Sequence, residues 1–108
     1  MTDVRVLLCT CPPNRAEDLA AALLQQRLVA CVNIIDNIAS HYRWKGKLER
    51  EEESLLILKT STARVAELLD VLSDLHPYDV PELLVLSVEQ GNKAYLDWVR
   101  EATATDAP

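Results

Sequence analysis

The chain has 108 residues, of which 49% are hydrophobic and 26% charged, and its 11 basic and 17 acidic side chains leave a net charge of −6. This length suits a single domain, and the hydrophobic content excludes an intrinsically disordered chain. The acidic balance argues against non-specific nucleic-acid binding, which depends on Lys and Arg side chains that neutralise phosphates.

The first part of the chain predicts a strand followed by a helix. Residues 4–10 are rich in β-branched and aliphatic side chains, which favour a strand, and Pro12 and Pro13 end it. Asn14, with Glu17 three positions later, predicts a capping box at the start of a helix. Apolar residues at helical spacing then predict that this helix runs over about residues 15–28.

The middle of the chain predicts an unusually long β-hairpin. Residues 30–35 form a second predicted strand, which continues to Trp44, turns at Lys45 and Gly46, and returns as a third strand through residue 58. Arms of about a dozen residues reach roughly 40 Å, whereas a compact domain of this length has a radius of gyration of roughly 13 Å. We therefore expect part of the hairpin to pack on another copy of the chain. Basic side chains before the turn are expected to pair with acidic ones after it: Arg43, Lys45 and Lys47 with Glu49, Glu51, Glu52 and Glu53.

The last part predicts a helix, a strand and a terminal helix. Ser61 or Thr62 is the expected cap of a helix whose apolar stripe reaches Leu75, and a fourth strand follows over residues 83–88. A short terminal helix is predicted around residues 95–99, and residues 103–108 are expected to fray. The order βαββαβ plus a C-terminal helix predicts an α+β sandwich with the ferredoxin-like split βαβ arrangement, formed by a single domain over residues 1–108 that is ordered over about 4–102.

Targeting segments and disulfides are not expected. The N-terminal residues show no basic segment followed by an apolar one, so no secretory signal is predicted. No apolar run approaches the roughly 20 residues that cross a bilayer, so no membrane segment is predicted. Three cysteines fit no disulfide framework. Reduced thiols and a cytoplasmic location are therefore expected.

Candidate chemistry is concentrated at two places. Residues 75–82 (LHPYDVPE) hold an imidazole, His76, at the start of a connector that two prolines make rigid, although the same pattern also suits a plain helix stop before an edge strand. Cys9 and Cys11 share a face if the first strand reaches Cys11, as a soft-metal pair would, or they simply fill the core. Cys31 is expected in the core. Cys9 and His76 could also form a thiolate–imidazole pair, but the sequence shows no nucleophile elbow, phosphate loop or zinc-protease motif, so catalysis is not expected.

Several segments together resemble the divalent-cation tolerance protein family CutA. They are ACVNII (30–35), SHYRWKGK (40–47), LILKT (56–60), HPYDVPEL (76–83) and GNKAYLDW (91–98). The resemblance extends from about Val4 to Val99, with the motifs in the same order.

This resemblance implies a cytoplasmic homotrimer in which long hairpins interlock, with an architecture like that of the PII signalling proteins. It also implies tolerance of copper and other divalent metals through binding, without catalysis. The family's copper ligands match Cys9 and His76 here, while Leu75 replaces a further histidine of the family. A thiolate favours Cu(I), whereas imidazole also accepts Cu(II) or Zn(II).

Two other functions remain open. A PII-like signalling or scaffold trimer would bind a small metabolite between subunits, near Trp44, Lys59 and Glu82. A thiol enzyme would use Cys9, and it would require a depressed thiol pKa.

Overall fold

The computed structural model describes residues 1–105, which form four β-strands and three α-helices. In chain order these elements are β1 (Val4–Cys11), α1 (Ala16–Gln25), β2 (Cys31–Trp44), β3 (Lys47–Ser61), α2 (Val65–Leu75), β4 (Leu83–Ser87) and α3 (Lys93–Ala102). Short 3-10 turns precede α1 and α2. The predicted order of elements is confirmed.

The strands form one antiparallel sheet in the order β2-β3-β1-β4. Because β3 lies between β1 and β2, α1 connects two parallel strands across an intervening one, which is the split βαβ arrangement. The predicted α+β, ferredoxin-like fold is therefore confirmed. Helices α1 and α2 cover one face of the sheet, and the core lies between them and that face. Its largest fully buried side chains include Leu7, Leu19, Leu23, Leu28, Leu56, Leu58, Leu68 and Leu72.

The hairpin of β2 and β3 projects beyond the helix-covered part of the sheet. β1 pairs only with residues 54–61 of β3, so the remainder of β3 has β2 as its only neighbour among the described strands. We call residues 38–53 the ribbon. It begins after a register shift between Ile35 and Ile38, where Asn37 has a φ of 61°, and such a bulge bends the strand.

The tip of the ribbon is the predicted two-residue turn. Lys45 and Gly46 have φ values of 50° and 80°, and two consecutive positive φ angles are typical of a type I′ hairpin turn. The ribbon elongates the molecule, which measures 45 × 27 × 22 Å with a radius of gyration of 14.6 Å.

The predicted ion pairs across the hairpin are wrong for the described residues. The register places Arg43 opposite Leu48, Lys47 opposite Trp44 and Tyr42 opposite Glu49. The ion pair that the ribbon does contain joins Arg50 and Glu52 within one strand, at 3.9 Å. Because directly opposite residues share a face, this register sets Arg43 against a leucine and Lys47 against a tryptophan, so the predicted basic and acidic side chains do not face one another across the strands.

The predicted helix caps are also wrong. Arg15 occupies the N-cap of α1 after the 3-10 turn, without a side-chain cap, so the capping box of Asn14 and Glu17 does not form. The hydroxyl of Ser61 hydrogen-bonds that of Thr103 at 2.9 Å instead of capping α2. The predicted fraying from residue 103 therefore begins too early, because Thr103 is buried and hydrogen-bonded. Residues 106–108 lie outside the described residues.

α1 is shorter than predicted and stops at Gln25. Arg27 has a φ of 58°, and its N–H donates to the carbonyl of Leu24 at 3.0 Å. The N–H of Leu28 donates to the carbonyl of Leu23 at 3.1 Å. These two bonds form a Schellman motif, here with arginine in the left-handed position that glycine usually takes. The turn directs Leu28 into the core.

Candidate functional site

β1 reaches Cys11, so Cys9 and Cys11 share a face as predicted for that case, and this face is directed toward the core. Both are fully buried, and Cys9 is opposite Leu56 of β3 and Leu83 of β4. Burial raises the pKa of the Cys9 thiol from 9.0 to about 12, with additional negative charge from Cys11, Glu82 and Glu53. The pKa of Cys11 is also raised by burial. At neutral pH both groups are therefore thiols and not thiolates, which makes Cys9 a poor nucleophile.

His76 caps the C-terminus of α2 and is almost fully buried. Its backbone N–H donates to the carbonyl of Leu72 at 2.9 Å. Its ring atom Nδ1 accepts a hydrogen bond from the backbone N–H of Tyr78 at 3.1 Å, so the ring proton belongs on Nε2. Nε2 then donates to the carbonyl oxygen of Thr10 at 2.8 Å. Both ring nitrogens of this neutral imidazole are therefore engaged.

The structure brings the two predicted metal ligands to the same end of β1. His76 bonds the carbonyl of Thr10, which directly follows Cys9. Leu75, the neighbour of His76, ends α2 with 36% of its surface exposed. Within residues 1–105, no group of three or more His, Cys, Asp or Glu side chains is arranged to hold a metal ion. Coordination by His76 requires it to give up one of its two hydrogen bonds.

Tyr78 links the connector, residues 76–82 between α2 and β4, to the ribbon. Its ring contacts that of His76 with centroids 4.8 Å apart and planes tilted by 56°. Its hydroxyl donates to Oε2 of Glu53 at 2.9 Å. Burial and this bond to a carboxylate both raise the pKa of Tyr78, because the anionic phenolate would be disfavoured there.

An open cleft of about 670 Å³ lies between the ribbon and the connector, and we call it the acidic cleft. No lysine or arginine is found among the described residues that line it. Its carboxylates are Glu49, Glu51, Glu53, Asp79 and Glu82, and its rings are those of His41, Tyr42, Trp44 and Tyr78. The sequence analysis did not predict this cleft. The alternation of Glu49, Glu51 and Glu53 along one strand could have indicated a row of carboxylates on one face.

The three residues expected near a metabolite site between subunits do not lie together within one chain: Trp44 and Glu82 line the acidic cleft, whereas Lys59 does not. The ammonium group of Lys59 instead contacts Asn33 and lies 3.8 Å from the sulfur of Cys31. Cys31 is half-buried and lies on the sheet face opposite α1 and α2, so it is not part of the core.

Comparison with known proteins gives consistent matches over almost the whole chain. The profile of the CutA1 divalent ion tolerance protein family matches residues 5–102. Protein CutA of Homo sapiens is 46% identical over 101 residues, which are 93% of this chain and 56% of the human protein. The divalent-cation tolerance protein CutA of Thermus thermophilus is 44% identical over 99 residues, covering 91% of this chain and 96% of that protein. This chain thus spans little more than half the length of its mammalian relatives.

Solved structures agree with these matches. The divalent cation tolerance protein Cut A1 from Thermus thermophilus superposes with a TM-score of 0.90 at 43% identity, covering 94% of this chain and 99% of that one. The structure titled periplasmic divalent cation tolerance protein CutA, from Archaeoglobus fulgidus, has a TM-score of 0.90 at 35% identity and covers 94% and 99% of the two chains. Among the described residues of the present protein, no helix is long and apolar enough to cross a membrane.

Proposed function

Because the chain belongs to the CutA1 divalent ion tolerance protein family, we propose that it is a homotrimeric, non-catalytic protein of divalent-cation tolerance that binds copper through Cys9 and His76 in the cytoplasm. The observation that carries the metal site is the position of both side chains at the end of β1, where His76 bonds the carbonyl next to Cys9. The cytoplasmic location is supported by three free cysteines, which a reducing compartment maintains.

The proposed trimer is supported by apolar surface on the sheet face opposite α1 and α2. Side chains alternate along strands, so Leu84 and Leu86 of β4 lie on this face, where they are 52% and 44% exposed. On the ribbon, Leu48 is 77% exposed. Exposed apolar patches of this kind mark interaction surfaces, and the overlong ribbon needs a second copy to cover it.

The metal site is incomplete within one subunit, which sets the expected affinity. One thiol and one imidazole leave open positions that water, Cys11 or a neighbouring subunit must fill. Binding must also remove the proton from a thiol whose pKa is about 12, and metal affinity falls when a ligand proton has to be displaced. We therefore expect a dissociation constant in the micromolar range or weaker, and a nanomolar constant contradicts this expectation.

The experiment is a copper titration against a competing chelator, performed under reducing conditions for Cu(I) and separately for Cu(II). Cys9→Ser and His76→Ala are each expected to weaken binding at least tenfold, which corresponds to roughly 1.4 kcal/mol. The matched controls are Cys31→Ser and His41→Ala, which remove the half-buried thiol and the exposed imidazole of the ribbon. If all four variants bind as the wild type does, the Cys9–His76 site is refuted.

A second candidate function is favoured by the acidic cleft. A PII-like trimer that binds a small metabolite needs a concave site with oriented polar groups and aromatic walls. The cleft provides about 670 Å³ with Trp44 and Glu82 among its lining residues. A thermal shift caused by metabolites but not by metals would favour this function over the first.

A further inference from the structure

The half-buried thiol of Cys31 lies beside the amine of Lys59. The two residues are directly opposite each other in the register of β2 and β3, and opposed side chains share a face with Cβ atoms about 4.5–5.5 Å apart. The N–H of Ala30 donates to the carbonyl of Lys59 at 2.8 Å, which holds this register. Nζ of Lys59 lies 3.8 Å from Sγ of Cys31. The pairing of the two strands therefore keeps a lysine amine next to a thiol.

Two further side chains surround this pair. Oδ1 of Asn33, two residues along β2, accepts a hydrogen bond from Nζ of Lys59 and lies 3.8 Å from the sulfur of Cys31. From α3, the hydroxyl of Tyr95 reaches the same sulfur, and burial together with this neighbouring thiol raises the pKa of Tyr95. Side chains from β2, β3 and α3 thus converge on Cys31, with Lys59 as the nucleophilic group among them.

Lys59 has no carboxylate partner within the described part of the chain. None of the ion pairs among residues 1–105 includes it, whereas Lys93 is paired with Asp97 at 2.9 Å. The groups that contact its amine, Asn33 and Cys31, are a neutral amide and a thiol. The amine can therefore turn toward the sulfur without breaking an ion pair.

Cys31 is also the thiol that a small oxidant reaches first. Cys9 and Cys11 are fully buried, and burial raises the pKa of both, so they react slowly with oxidants. Cys31 is only half-buried and lies on β2, an edge strand, outside the ribbon. The exposed Leu84 and Leu86 belong to β4, at the other edge of the sheet. The pair is therefore separate from the apolar patch assigned to self-association.

We propose that Cys31 and Lys59 form a reversible sulfenamide cross-link when the protein is exposed to hydrogen peroxide. Peroxide first oxidises the thiol to a sulfenic acid, and its second oxygen leaves as water. The amine of Lys59, after releasing a proton to solvent, then attacks the sulfur. The S–N bond forms, the S–O bond breaks and the hydroxyl group leaves as water with the second amine proton. The sulfur loses two electrons in total, and the peroxide accepts both.

The cross-link is a protected state of the thiol. A sulfenic acid that meets no partner is oxidised further to the irreversible sulfinic acid. An external thiol opens the sulfenamide by attack on sulfur, which frees the amine and leaves a mixed disulfide that a second thiol reduces. The bond joins two residues that are already paired, so the fold is retained. This inference goes beyond the proposed function and depends neither on the Cys9–His76 site nor on the acidic cleft.

The test treats the reduced full chain with a small excess of hydrogen peroxide and measures the mass under denaturing conditions. We expect a single-chain product that is lighter by two hydrogen atoms and returns to the original mass with dithiothreitol. Trypsin does not cleave after a linked lysine, so the digest should contain residues 28–43 joined to residues 51–64. Lys59→Arg keeps the charge but lacks the amine, and Cys31→Ser lacks the sulfur, so both should lose this product completely. The matched control Lys93→Arg should form it to the wild-type extent.

Several results overturn the proposal. The first is a Cys31 that stays unmodified or becomes a sulfinic acid while trypsin still cleaves after Lys59. Loss of two hydrogens with this cleavage intact shows a disulfide instead, and a linked product of twice the mass shows reaction between chains. A linked peptide that retains the peroxide oxygen contradicts the condensation step. Circular dichroism of Lys59→Arg and Cys31→Ser before treatment establishes that they are folded, so that loss of the product reports the missing group.

Discussion

The helix-covered half of the sheet and the ribbon are built from the same two strands but are stabilised differently. In the helix-covered half, Leu56 and Leu58 of β3 are fully buried against α1 and α2. In the ribbon, Leu48 is 77% exposed and Trp44 is 47% exposed. The first region therefore owes its stability to packing within one chain, whereas the second has little apolar burial of its own.

The two regions also differ in whether their polar groups have partners within the chain. At the end of β1 every nitrogen of the His76 ring has a partner, and the Cys9 thiol is kept protonated by burial. Along the ribbon, three carboxylates face an open cleft, and no ion pair among the described residues neutralises them. The helix-covered half therefore stabilises the fold, whereas the ribbon leaves its carboxylates accessible in the cleft.

The largest expected difference concerns leucines in the two regions. Leu56→Ala should lower the free energy of unfolding by about 3 kcal/mol, because it leaves a cavity in a packed core. Leu48→Ala should cost less than about 0.5 kcal/mol in the dissociated chain, since this side chain is already solvated. Urea unfolding over a range of protein concentrations, with light scattering for the mass, measures both effects.

The same experiment tests the proposed trimer. Because the ribbon is proposed to pack on another copy, Leu48→Ala should act on the concentration-dependent part of the stability. A mass of one chain at micromolar concentration contradicts the trimer. Equal losses in the two variants contradict the distinction between the regions.

A pH effect of intermediate size is expected from the buried thiol of Cys9. The Cys9 pKa is raised from 9.0 to about 12 by folding, so the unfolded chain loses this proton first as the pH rises. Stability is therefore unaffected below about pH 9 and falls above it, by roughly 2 kcal/mol between pH 9 and pH 11 from this group. Unfolding midpoints of the wild type and Cys9→Ala across this range measure the difference.

Cys31→Ala is the control for that titration, because Cys31 is half-buried outside the core. It should keep the slope of the wild type, while Cys9→Ala should make the slope shallower, with the remainder coming from Cys11 and Tyr78, whose pKa values are also raised. Parallel curves for the wild type and Cys9→Ala are the result that contradicts the raised pKa.

Most of the fold could be predicted from the sequence because it depends on periodic patterns. The apolar stripe of α2 identified its buried face correctly, the run of β-branched and aliphatic residues identified β1 as a strand, and Lys45-Gly46 identified the turn. The capping box at α1 fails because a 3-10 turn over Pro13–Arg15 precedes the helix, and the cap predicted at Ser61 fails because of a contact distant in sequence. Ser61 is engaged by Thr103, 42 residues away, which no local motif reveals.

The candidate site shows the same limit. The sequence identified Cys9 and His76 as residues of interest and left open whether Cys9 fills the core or binds a metal, and the structure shows that its side chain is fully buried. It did not reveal that Thr10 and Tyr78 occupy the two ring nitrogens, because this requires the end of α2 to meet the end of β1. The acidic row was visible in the sequence, but it was interpreted as half of a set of ion pairs. The register of the hairpin, which a count of charges does not give, rules out that interpretation.

An effect smaller than those of Leu56→Ala and of the Cys9 titration is expected at the ribbon tip, where it depends on backbone conformation and not on packing. Gly46 has a φ of 80°, and no atom lies within 4 Å of the position that an added Cβ would take. Gly46→Ala should therefore cost about 1 kcal/mol through backbone strain alone. Gly91→Ala is the matched control, since its Cβ would meet only the end of the flexible Leu96 side chain, at 3.2 Å. Urea unfolding at one fixed concentration compares the two, and an equal or larger loss for Gly91→Ala contradicts the assignment of strain to the turn. If Gly46→Ala also weakens self-association while Gly91→Ala does not, the turn serves to direct the ribbon toward its partner.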